Sequence, residues 1–273
     1  MCALLAAVAY GVASVLQAAA ARAVDDDGAA GIHPRLLIRV LGQWRYVLGL
    51  SMDALGFLAQ LAALRVLPLF VVQAALAASL AVTAVAAIGI GARLRGLEWA
   101  AIMLVCVGLG LLGASAQSEA SGHVGLGFHL ALAVATVAVA GAGALAGHAP
   151  GRVRSPALGL VAGLCFALVA VAGRVLDTSS IVAVLTDPAA YTIAGAGIVG
   201  MVFYASALQC GSVTTATALM VVGETVLPSV IGVVALGDAT RPGFALVAVA
   251  GFALAVVSAL ALTRFGEIEP SPS

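Results

Sequence analysis

The chain has 273 residues, 63% of them hydrophobic and 9% charged, with a mean hydropathy of +1.18. A soluble domain is about half apolar and a quarter charged, and a chain of this length cannot enclose so much apolar surface in water. Twelve basic residues balance twelve acidic ones, so nothing points to nucleic acid as a partner, and the lipid bilayer is the expected surrounding.

A helix needs about 20 mostly apolar residues to cross the hydrocarbon core. Nine stretches qualify, at roughly 2–21, 46–64, 66–90, 97–116, 123–147, 156–174, 188–208, 212–236 and 243–263. All are read as helices, because open sheet edges cannot be left in lipid. The sequence opens Met1-Cys2-Ala3 with no basic region, so the first stretch is expected to be a retained span rather than a cleaved leader. It carries Tyr10 and Gln17. The loop 22–45 holds Asp25-Asp26-Asp27-Gly28 and several arginines, and reads as solvated.

The second stretch contains Asp53. Gly49, Gly56 and Gln60 stand at i−4, i+3 and i+7 from it, which places all four on one helical face. Arg65 and Pro68 mark a tight hairpin into the third stretch, which carries Gln73. The turn Arg93-Leu94-Arg95-Gly96 precedes the fourth, and a Ser/Gly-rich connector at 115–122 precedes the fifth. The seventh ends near Tyr204, and Cys210-Gly211-Ser212 forms a second tight hairpin into the eighth. There Glu224 shares a face with Thr217 and roughly with Thr214, and Pro228 should kink the helix and free a carbonyl near Glu224. The tail 265–273, with Pro270 and Pro272, reads as disordered.

All twelve basic residues are Arg. With nine spans, Arg22, Arg35, Arg39, Arg45, Arg93, Arg95, Arg152, Arg154 and Arg264 share one face, and Arg65, Arg174 and Arg241 the other. The positive-inside rule then puts the N-terminus outside and the C-terminus in the cytoplasm of a multi-pass plasma-membrane protein.

Asp53 and Glu224 both fall near the middle third of their spans. An ionisable group at that depth costs at least about 2.5–3.5 kcal/mol on insertion scales, so it usually faces a cavity or a partner. The two carboxylates could share a central cavity, bind a divalent or organic cation, or carry protons; the bland alternative is neutralisation by a hydrogen bond or an arginine. For Gln17, Gln60 and Gln73, interhelical hydrogen bonding competes with substrate contact. Packing is the default for Tyr10 and Tyr204, and a cavity-lining role is the alternative.

Other chemistry is thinly represented. Cys2, Cys106, Cys165 and Cys210 show no C-x-x-C spacing, so no metal site or disulfide is expected. The four histidines do not cluster. Two G-x-G-x-x-G matches, at Gly108–Gly113 and Gly195–Gly200, lie inside apolar runs with no preceding strand, so helix packing explains them better than dinucleotide binding. No nucleophile–base pair or phosphate-binding loop is visible; an enzyme is not expected, and no cofactor is implied.

The spans also repeat. Residues 63–69 line up with 208–213 around the two tight hairpins, and the blocks 97–115 and 243–261 correspond. Span one then matches six, two matches seven, three matches eight and four matches nine. An offset of five spans inverts the orientation, as in many secondary transporters. The expected fold is therefore an all-α integral membrane protein with nine transmembrane helices, arranged as two inverted four-helix repeats. These are residues 1–115 and 155–264, with a linker helix within 116–154. In this alignment Gly197, Gly200 and Tyr204 take the places of Asp53, Gly56 and Gln60.

The run 47–57, with Ala63-Leu64, Pro68-Leu69 and Val72-Gln73, resembles the drug/metabolite transporter superfamily. Ala205-Ser206-Ala207-Leu208, Glu224-Thr225-Val226-Leu227-Pro228 and Leu236-Gly237-Asp238 are similar to an EamA-type repeat, with Asp238 where such repeats carry Glu. The Gly49–Gln73 region also resembles the NIPA-like magnesium transporter branch. The resemblance implies alternating-access transport of a small metabolite, drug-like solute or cation, with Gln17, Gln60 and Gln73 on cavity-forming spans. A divalent-cation transporter and a non-transporting membrane assembly partner are the alternative readings, and a homodimer stays open.

Overall fold

The computed structural model describes residues 1–22, 44–88, 95–117, 124–210 and 213–265. Most of the loop 22–45, the second half of the connector 115–122 and the tail lie outside these. The described residues form helices α1 (Cys2–Arg22), α2 (Trp44–Leu64), α3 (Leu69–Ala77), α4 (Ser79–Ile88), α5 (Gly96–Ser115), α6 (Leu126–Ala146), α7 (Gly151–Val175), α8 (Ile181–Thr186), α9 (Pro188–Cys210), α10 (Val213–Ala235) and α11 (Ala245–Phe265). No strand is present among them.

Helix starts follow local chemistry. Prolines Pro68 and Pro150 stand immediately before α3 and α7, and Pro188 opens α9, all positions where a missing N–H costs nothing. Glu98 folds back to accept the Arg95 N–H at 2.5 Å at the start of α5, and Ser180 accepts from the Ala183 N–H at 3.1 Å at the start of α8. The third predicted stretch is one apolar run, 69–86, interrupted at Ala78 into α3 and α4. The interruption is slight: the Ala78 N–H reaches back to Ala74 and the Val82 N–H to Ala78.

Among the described residues, seven helical segments are long and apolar enough to cross a bilayer: Val47–Leu64, Leu69–Ala86, Gly96–Ser115, Leu126–Ala146, Val153–Val175, Pro188–Leu208 and Thr215–Ala235. The first and ninth predicted stretches are helical too, but their described apolar parts, Cys2–Leu16 and Ala245–Ala261, are shorter. Large apolar side chains face outward along these helices, among them Val134, Val137, Val234 and Leu246, each at least 68% exposed. Water would not tolerate such a surface, and lipid does. The chain is thus an all-helical, multi-pass membrane protein.

The centre is formed by α7 and by α3 with α4. Their apolar windows are 67% and 61% buried, against 11% for α6, which packs at the edge on α7 and α9. The remaining contacts form two sets. In the first, α1 lies on α2 and on α3–α4; in the second, α7 lies on α9 and on α10; α3 then meets α10, and α5 meets α11. Small residues permit these approaches. A Cβ on Gly159 or Gly163 would run into the α10 backbone at Ala216 or Met220, and one on Gly108 would strike the α11 backbone at Gly251 and Ala255. Gly108 and Gly200, members of the two glycine motifs, therefore serve helix packing, Gly200 against Cys165 and Phe166.

One end of the bundle is tied by polar contacts. Arg174, 2% exposed at the end of α7, donates to the carbonyls of Leu64 and Leu67 and to Asp238 Oδ1 at 3.1 Å. Asp238 Oδ2 accepts the Leu69 N–H at 2.5 Å, which satisfies the first donor of α3. Arg65 donates to the Leu176 carbonyl. Nearby, the Arg241 N–H reaches the Ser115 carbonyl and the Gln117 N–H the Ala239 carbonyl. The turn of positive φ at Gly237 (75°) brings Asp238 back onto the end of α10, its N–H on the Gly232 carbonyl.

Candidate functional site

Between the two sets of helices lies a cavity of about 600 Å³. It is walled by α1 (Tyr10, Ser14), α2 (Phe57, Gln60), the α3–α4 junction (Leu76, Ser79, Leu80), α7 (Phe166, Val169), α9 (from Ile193 to Tyr204) and α10 (from Thr217 to Thr225). The volume falls in the range of sites for drug-sized ligands.

Glu224 is the central residue of the 23-residue α10 and lines this cavity. Its carboxylate has no hydrogen-bond or ion-pair partner among the described residues. Pro228, four residues on, has no N–H to give the Glu224 carbonyl, so the backbone there also lacks its usual helical donor. Two hydrogen-bonded pairs flank Glu224 on the cavity wall. Tyr10 Oη donates to Gln60 Oε1 at 2.9 Å, and Tyr204 Oη lies 2.7 Å from Thr217 Oγ1. Gln60 stands about one turn from the end of α2 and Thr217 about one turn from the start of α10. The two pairs thus lie toward opposite ends of the bundle, with Glu224 at mid-depth.

Five residues expected from the sequence therefore meet in one place: Tyr10, Gln60, Tyr204, Thr217 and Glu224. Three do not. Asp53 is on the inward stripe of α2, with Gly49, Gly56 and Gln60 buried beside it, but is itself only half-buried and does not line the cavity. It lies within electrostatic reach of the Tyr10 hydroxyl, as does Glu224. Gln73 is fully buried on α3 and does not line the cavity, and neither atom of its amide has a partner among the described residues. The side chain of Gln17 lies outside the described residues.

The cavity also contains groups that hydropathy does not single out. Phe57 and Phe166 give it aromatic walls, and Ser14, Ser79 and Thr225 add hydroxyls. Phe57 could have been found as Asp53 + 4 on the same stripe. Phe166 sits in an apolar run with no distinguishing signal. Among the described residues no Arg or His lines the cavity, and no group of three His, Cys, Asp or Glu side chains is placed to hold a metal ion.

No protein-family model matches the chain, and no curated protein or solved structure is found similar to it.

Proposed function

We propose that the chain is a secondary transporter that moves a small solute by alternating access, with its binding site centred on Glu224. The observation that carries this reading is the pairing of a 600 Å³ cavity with a partnerless carboxylate at mid-membrane depth. A buried charge without a partner is costly, and in membrane proteins it commonly marks a substrate or ion pathway.

The same reading includes nine spans in two inverted repeats, as in the drug/metabolite transporter superfamily that the sequence resembles. Local packing supports the repeat. A Cβ on Gly56 would meet Ala9 and Tyr10, and one on Gly200, its counterpart in the sequence alignment, would meet Cys165 and Phe166. Gly108 contacts Ala255, and Gly251 contacts Leu112. The plasma membrane, with the N-terminus outside, is the proposed placement.

A magnesium carrier is less favoured. A hard divalent ion takes six or more oxygen ligands, several of them carboxylates, and the cavity wall supplies one carboxylate. The test is flux in proteoliposomes across a panel of metabolites, drug-like solutes and Mg²⁺. Transport of at least one solute is expected, reduced at least tenfold by Glu224→Gln, in the manner of a lost buried charge contact. Flux indifferent to that substitution sinks the site assignment.

A further inference from the structure

Resting on that reading of the cavity, we infer that its ligand is an amphiphilic monovalent organic cation: an ammonium or similar head on an apolar, aromatic-compatible body. Four observations converge on this class.

Among the described residues, the only charged side chain on the wall is the Glu224 carboxylate. An anionic ligand would be repelled by it, and a neutral ligand would leave the ionised carboxylate unpaired in a low-dielectric site or require it to take up a proton. A single cationic head satisfies it. Aromatic rings stand on several sides of the space, Tyr10, Phe57, Phe166 and Tyr204. Ring faces attract organic cations, most strongly where water is excluded. The remaining wall is mostly aliphatic, from Leu76, Leu80, Val169 and Ile193 among others, which suits an apolar body and does nothing for a hydrated metal ion. Finally, Ile198 and Met201 both line the cavity and are 66% exposed. The α9 wall thus runs into the lipid-facing surface, and a ligand with an apolar tail can occupy both.

The test is equilibrium binding of radiolabelled benzyltrimethylammonium to the purified full-length chain in detergent. Competitors are the unlabelled cation, neopentylbenzene (its uncharged isostere), benzoate and Mg²⁺. Saturable binding is expected, displaced by the unlabelled cation alone. Glu224→Gln should weaken it at least tenfold. Glu224→Asp, which keeps the charge, should retain binding more closely, and Phe57→Leu should weaken it about threefold. Monodisperse elution of each variant controls for folding. The inference is overturned by absence of saturable binding in the folded wild type, by binding unchanged in Glu224→Gln, or by displacement with benzoate, neopentylbenzene or Mg²⁺. Glu224-dependent binding without flux in proteoliposomes would retain the ligand class and remove the transport reading. Flux of a neutral or anionic solute without cation binding would do the reverse.

Discussion

At the scale of single residues, the polar groups inside this protein fall into contrasting kinds. Arg174 and Asp238 are buried and paired, with four hydrogen bonds on three backbone groups and each other, and only Arg174 Nε lacks a partner among the described residues. Removing one partner of such a pair strands the other. Asp238→Ala should cost about 3–5 kcal/mol, read as a lower midpoint of thermal unfolding in detergent; an unchanged midpoint would show that the pair is peripheral to stability. Gln73 is the opposite case, a buried amide with no partner for either atom among the described residues. Gln73→Leu should stabilise the fold by about 1 kcal/mol, because desolvation without a hydrogen bond is a penalty the apolar side chain avoids. Loss of stability in that variant would mean that Gln73 finds a partner unseen in this arrangement. Glu224 is unpartnered like Gln73 but faces a cavity. That difference in surroundings, more than the polarity of either residue, separates a site from a structural oddity.

At the scale of elements, hydropathy and punctuation carry most of the information. Each of the nine stretches read from the sequence coincides with helix, and the bounds agree closely where Pro or a charged turn marks an end, as at Pro188 and at Arg95. Two features leave no such mark. The interruption at Ala78 falls in an unbroken alanine-rich run, and α8 is a single polar-flanked turn and a half between Asp177 and Asp187. Helix rotation is also hard to read when every face is apolar. Asp53 and Glu224 look alike in sequence, yet only one turns to the cavity. Arg174 and Asp238 lie 64 residues apart, and nothing local announces their pairing. Glycines are more informative once placed. A Cβ on Gly163 would collide with the Met220 backbone, which cannot yield as a flexible side chain can. Gly163→Val should therefore separate α7 from α10 and destabilise by about 1–3 kcal/mol or more, whereas Gly110→Val, with open space around it, should be nearly silent. Equal unfolding midpoints for the two variants would contradict the close α7–α10 packing.

At the scale of the whole molecule, charge and closure act on the same end of the bundle. The proposed orientation rests on nine arginines against three. Two of those three, Arg65 and Arg174, are held in place by carbonyls and Asp238. Their presence on the minority face thus has a structural cause, and the bias of the remaining arginines is stronger than the count implies. The same contacts tie the α2–α3 hairpin to the end of α7 and the turn after α10. The proposed alternating access needs a seal that opens toward each face, and this cluster is the candidate for that end. In a chain whose four native cysteines are replaced by Ala, Ser179→Cys should react with an impermeant maleimide added outside intact cells, and His148→Cys should react only after permeabilisation. The opposite pattern would reverse the proposed orientation. With Ala194→Cys as a reporter in the cavity wall, Asp238→Asn should increase labelling from the Ser179 side by weakening the Arg174 contact while preserving size. Unchanged labelling, with the variant still folded, would mean that this cluster holds the helices together without gating the cavity, and the seal would have to be sought elsewhere along α2 and α7.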